Sequence, residues 1–124
     1  MARAEAIERA RAAWPELQVD IEQFEARLDA AADDEHAADL YLALACAGGD
    51  PAARHEAALL IQREVPTAVA RTHPSGALTD DIVQRVVELV VVGGTERQPA
   101  IAQYAGRGPL RAWVRIIALR EARR

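Results

Sequence analysis

Thr79-Asp80-Asp81-Ile82-Val83-Gln84-Arg85-Val86-Val87-Glu88-Leu89-Val90-Val91-Val92-Gly93-Gly94 is the stretch on which the fold turns. The valine-rich run from Val86 to Val92 has the stiff, branched side chains that strands favour. Against a strand, Ile82, Val86, Leu89 and Val90 recur at i, i+4, i+7 and i+8, one face of a helix. Thr79 reads as an N-cap, Asp80 and Asp81 as first-turn acids, and Gly93-Gly94 as the stop. A lone strand would also lack a partner, because the rest of the chain reads as helix. The stretch is therefore predicted to be helical, and the chain to be all-α, a compact bundle of about five to seven helices.

Towards the N-terminus, His73-Pro74-Ser75-Gly76 reads as a loop. Before it, Asp50-Pro51 starts a helix, Asp as cap and Pro at the first helical position, with Ala57, Leu60 and Ile61 facing inward. Pro66 is expected to kink or interrupt that helix, since it removes a hydrogen bond and crowds the preceding turn. Val65, Ala68 and Val69 carry its apolar face on to about Arg71. The apolar run from Ala37 ends at Gly48-Gly49, a C-cap pair. Asp20, with Gln23 three residues on, caps a helix carrying Ile21, Phe24 and Leu28 to about Ala32. Asp33-Asp34-Glu35 is either the polar end of that helix or the acidic first turn of the next. Ala4 to Trp14 reads as a first helix stopped by Pro15.

Towards the C-terminus, Pro99 to Ala105 reads as a short helical turn carrying Ile101 and Tyr104. Gly106-Arg107-Gly108 is a tight loop, and Pro109 opens the last helix. On that helix Leu110, Trp113, Val114 and Ile117 form a core-facing stripe. Arg111, Arg115 and Arg123 gather on another side, with Arg107 in the loop before them. Arginines at i and i+4 repel in an isolated helix, which suggests an anionic partner. The other reading is a solvated basic face balanced by the acidic front of the chain.

That front is real. Residues 1–39 carry 4 Arg and 11 acids, net −7, whereas residues 107–124 carry 6 Arg and one acid, net +5. The net charge of −4 conceals this asymmetry, and local charge decides contact. No segment has the length of a membrane span or the pattern of a signal peptide, so a cytoplasmic, membrane-free protein is expected. Cys46 is alone in an Ala-rich apolar run and reads as a small buried hydrophobe. His36, His55 and His73 have no second ligand at helical spacing, so no metal or other cofactor is expected. No nucleophile elbow or phosphate loop is present, and nothing suggests an enzyme.

Leu110-Arg111-Ala112-Trp113-Val114, preceded by Gly106-Arg107-Gly108, and Asp81-Ile82-Val83-Gln84 upstream, together resemble region 2 of extracytoplasmic-function RNA polymerase sigma factors. Asp50-Pro51-Ala52-Ala53 and Pro66 fit the first helices of that family. The resemblance spans about Asp39 to Arg124, dividing the chain into an acidic helical extension, residues 1–38, and a region 2-like domain, residues 39–124. It implies a transcription initiation factor without catalysis. Asp81, Gln84, Arg85 and Glu88 would then dock on the clamp coiled coil of the largest subunit of core RNA polymerase. Tyr104, Arg107, Arg111, Trp113, Arg115 and Arg120 would approach promoter DNA at the −10 element and hold its non-template strand open. An anti-sigma protein is a further candidate partner.

Arg85 stands where the family carries an acid, Val87 and Val91 at aromatic positions, and Arg120 at its common Asn. Its base-reading loop and second, helix-turn-helix domain belong after Arg124. The alternative is a sigma-derived protein-interaction or regulatory module without promoter recognition, whose acidic front covers its basic face.

Overall fold

The computed structural model describes residues 2–72 and 75–124. Among them the chain forms six α-helices and no strand: α1 Ala2–Ala13, α2 Ile21–Ala30, α3 Ala37–Ala47, α4 Pro51–Val69, α5 Gly76–Val87 and α6 Leu110–Ala122. A π-turn, Glu88–Val92, continues α5, and a 3₁₀ turn, Ala100–Gln103, precedes α6. The all-α bundle expected from the sequence is what folds.

Asp50 makes the sharpest corner. Its N–H donates to the Ala45 carbonyl at 3.1 Å while Gly49 N–H donates to Cys46 at 3.0 Å, the paired bonds that close a Schellman motif. Its carboxylate then accepts from the N–H groups of Ala52 and Ala53, capping α4. One residue thus ends α3 and starts α4, folding them back on each other. α4 is the central helix and packs against α3, α5 and α6. Of the two outcomes expected at Pro66, interruption does not occur: α4 runs on to Val69. Pro66 and Gln62 are both exposed, so water can serve the Gln62 carbonyl that the missing N–H leaves free.

The decisive valine-rich stretch is helical, with two corrections. The cap is Ser75, whose hydroxyl accepts from Leu78 N–H at 3.4 Å. Thr79 lies inside the helix and donates its hydroxyl back to the Ser75 carbonyl at 2.9 Å, the usual use of a mid-helix Thr. Asp80 and Asp81 therefore fall beyond the first turn. Of the expected loop, His73 and Pro74 lie outside the described residues, and Gly76 is already helical.

The second correction is the π-turn, where Gly93 N–H reaches the Glu88 carbonyl five residues back at 2.8 Å. This wider turn changes which residues point inward. Val90 and Val91 are buried, while Leu89, expected inside, is half-buried at the rim. Gly93 ends the turn at φ 70, with the Arg97 carbonyl and Pro99 nitrogen 2.7 Å from where a Cβ would sit.

Residues on both sides of position 38 fill one core. Ala6 and Ala10 of α1 and Phe24 and Leu28 of α2 are fully buried in the same cluster as Leu40, Ile61, Ile82 and Val114. Each large side chain among them contributes roughly 1.5–3 kcal/mol of burial. Small Ala faces let α1 lie close on α3. Trp14 Nε1–H donates to the Ala38 carbonyl at 3.0 Å and the Tyr41 hydroxyl to Leu17 at 3.2 Å. Phe24 meets Tyr41 edge to face at 5.1 Å. The acidic 31–36 segment is neither of the two helix ends expected. It is a turn with Ala32 at φ 75, and Arg3 of α1 holds it through Asp34 at 3.2 Å and holds α2 through Asp29 at 2.7 Å. No helix among the described residues is long and apolar enough to cross a membrane.

Candidate nucleic-acid interface

α6 starts without a cap of its own, since Pro109 has no side chain that can accept a hydrogen bond. The acceptor comes from α3: Asp39 Oδ2 takes the Leu110 N–H at 2.8 Å, across 71 residues of chain. The loop before α6 is pinned at further points. Arg27 donates to the Tyr104 carbonyl, and the Tyr104 hydroxyl donates to the Gly108 carbonyl. Gly106, at φ 74, lies so close to α3 that a Cβ would be 2.6 Å from Leu40 Cδ1. Backbone and side chains therefore hold Arg107 and Trp113 on a fixed frame.

Tyr104 belongs to that frame. Its ring is 2% exposed and meets Trp113 edge to face at 5.7 Å. Burial, with Asp39's charge adding to it, pushes its phenol well above the ordinary value, so it remains a neutral donor. The ring offers no face for a base to stack on.

Trp113 sits at the edge of the buried stripe rather than inside it. Leu110, Val114, Ile117, Ala118, Glu121 and Ala122 are the buried positions of α6, and Trp113 is half-buried. Its free side borders two hollows that join along it. One lies against the 104–109 loop and is bordered by Arg107, Trp113 and Ile116. The other shares Gln103, Trp113 and Ile116 with the first and adds Leu89, Arg120 and Arg124. Ile116 is 52% exposed beside the indole. The result is an apolar and aromatic groove with an arginine at each end.

The remaining arginines divide. Arg111 and Arg115 lie on the other flank of α6, towards α4. Arg111 is exposed and borders a hollow with Trp14, Leu59, Leu60 and Arg63. Arg115 is exposed, as expected, but ion-paired: its Nη2 and Nε reach Glu64 Oε1 of α4 at 2.7 and 2.8 Å. Burial pushes the Glu64 carboxyl up, but hydrogen bonds from Arg115 and Arg63, with their charges, outweigh it and hold the group below the usual carboxylate range. Arg107, Arg111, Arg120 and Arg123 have no ion-pair partner among the described residues. Nor does any acid of residues 1–39 pair with an arginine of α6; Asp29 and Asp34 are taken by Arg3.

Asp81 and Gln84 of α5 and Glu88 at the start of the π-turn are exposed, and Gln84 Nε2 lies 3.4 Å from Glu88 Oε1. Arg85 is drawn to α6, donating to the Glu121 carbonyl at 3.2 Å with its Nε 4.0 Å from the Glu121 carboxylate. Glu64, Glu121 and Asp39 were not legible as site residues, because each acquires its role from a partner distant in sequence. Cys46 is buried, and burial chiefly pushes its thiol up to about 11, which leaves it a poor nucleophile. No group of three or more His, Cys, Asp or Glu side chains that could hold a metal occurs among the described residues. Set against family models, curated proteins and solved structures, the chain matches none of them.

Proposed function

We propose that this domain is a non-catalytic transcription initiation factor, similar to region 2 of extracytoplasmic-function sigma factors. It holds an unpaired strand of promoter −10 DNA in the groove along α6 and meets core RNA polymerase through the outer side of α5. The observation that carries the reading is Trp113, half-buried, in a groove with Arg107 at one end and Arg120 at the other. An aromatic flanked by cations is what an unstacked base and its phosphates require. Asp81, Gln84 and Glu88 are exposed and therefore available to the polymerase clamp, with Arg85 committed instead to Glu121.

The test is fluorescence anisotropy with a forked −10 oligonucleotide, its fully paired duplex, and an unrelated single strand. Preference for the unpaired forms is expected, and Trp113→Ala should cost about 1–3 kcal/mol of binding. Equal affinity for the duplex, or a silent Trp113→Ala, overturns the DNA half. Capture by the polymerase clamp fragment that survives substitution of both Asp81 and Gln84 overturns the docking half. Tyr104's buried ring and Arg115's bond to Glu64 favour a second reading, an interaction module without promoter recognition. Clamp binding with no DNA affinity would select it.

A further inference from the structure

A third hollow continues the groove. It shares Leu89, Glu121 and Arg124 with the one beside Trp113 and adds Arg85, Glu88 and Arg97. The three hollows thus form one channel, from the Gly106–Gly108 loop, along α6, to the turn after the π-helix. Five arginines border it, Arg107, Arg120, Arg124, Arg97 and Arg85, against two carboxylates, Glu88 and Glu121. From Trp113 to the end of α6 at Ala122 the helix rises about 14 Å, so a strand seated on the indole would need several nucleotides to reach the far end.

We infer that the channel is a single-stranded nucleic-acid track, and that Arg97, Arg124 and Arg85 are phosphate contacts at its far end. The inference rests on the function proposed above and extends it to Arg97 and Arg124, which neither motif nor helix periodicity singles out. It also moves Arg85 from the protein-docking side of α5 to the nucleic-acid side.

The far end is built to hold its cations in place. Glu121, 8% exposed, lies beneath them, with its carboxylate 3.4 Å from Arg124 and 4.0 Å from Arg85. These contacts draw the two side chains towards Glu121 while leaving them 78% and 47% exposed. Arg97 has no ion-pair partner among the described residues. Its backbone is held by reciprocal bonds with Gly94, at 2.9 and 3.4 Å, that close the turn carrying it. A channel that is apolar and aromatic at one end and arginine-lined along its length matches a strand that stacks a base and then follows with its phosphates.

The experiment titrates the full chain against a labelled oligothymidylate of about 12 nucleotides, within the range of single-strand site sizes, at several salt concentrations. Arg97→Gln, and Arg97→Gln combined with Arg124→Gln, are compared with Arg11→Gln, the same charge change on exposed α1. Each lost phosphate contact should lower the slope of log affinity against log salt by about 0.7 and weaken binding roughly three- to tenfold. Arg11→Gln should leave the slope unchanged. Far-UV circular dichroism checks that each variant folds. If the wild type binds and Trp113→Ala weakens it, but Arg97→Gln matches Arg11→Gln, the track is wrong and the proposed function stands. If the wild type binds no single strand, the track and the DNA half of the proposed function both fall.

Discussion

Replacing Glu64 by glutamine removes one charge and almost no volume from the contact between α4 and α6. The carboxylate accepts a hydrogen bond from Arg115 Nε at 2.8 Å, with Nη2 ion-paired at 2.7 Å, and a longer one from Arg63 at 3.4 Å. Its side chain is 9% exposed, whereas Arg115 is 45% exposed. Removing one partner of a fully buried pair costs about 3–5 kcal/mol. Here the released guanidinium can turn to water, so the cost is nearer that of a charged hydrogen bond, about 2 kcal/mol. For a chain of this size that is a fall in Tm of about 6–10 °C.

The same contact sets a pH dependence. The folded Glu64 carboxyl titrates below its unfolded value, so its contribution is complete above the unfolded pKa of about 4.3 and is lost as pH falls through the folded one. Urea unfolding, followed by circular dichroism at neutral and acid pH, reads both effects. The gap between wild type and Glu64→Gln should be full at pH 7 and shrink in acid. A variant as stable as wild type at neutral pH, or a gap that persists unchanged in acid, would refute the assignment.

Asp39→Ala removes the acceptor for Leu110 N–H and should cost about 0.5–2 kcal/mol, as loss of an N-cap does, with a change in the Trp113 emission that Arg107→Gln does not produce. Gly106→Ala puts a methyl 2.6 Å from Leu40 Cδ1 on a left-handed backbone and should destabilise by about 2–4 kcal/mol, measured by chemical unfolding; a neutral result would mean the loop does not lie against α3 as described. Ala32→Gly acts in the opposite sense. Relief of φ 75 outweighs the added freedom of the unfolded chain, and a gain of about 0.5–1 kcal/mol is expected in the same assay.

Helix ends were the most legible feature, because their chemistry is local. The Asp20 and Asp50 caps, Pro51 at the first helical position and the Gly48-Gly49 stop all act within a few residues of themselves. Where local signals competed, residue type alone did not choose between them. Ser75 and Thr79 are equally good caps by type, and only the start of α5 on the bundle decides for Ser75. The i→i+5 register after Val87 has no sequence signature of its own, and it is why Leu89 ends at the groove rather than in the core.

By itself, then, the chain's sequence determined an all-helical bundle, most of its helix boundaries, and a cationic last helix, since these follow from side-chain type and from spacing of one or two turns. Tertiary structure alone decided which arginines meet a carboxylate. Arg115 is neutralised by Glu64, 51 residues away, Arg85 is turned onto Glu121, 36 away, and the helix that carries the groove is capped by Asp39, 71 away. No periodicity encodes pairings at that range. They arise only when packing brings α3, α4 and α5 against α6, and with them the groove between Arg107 and Arg120.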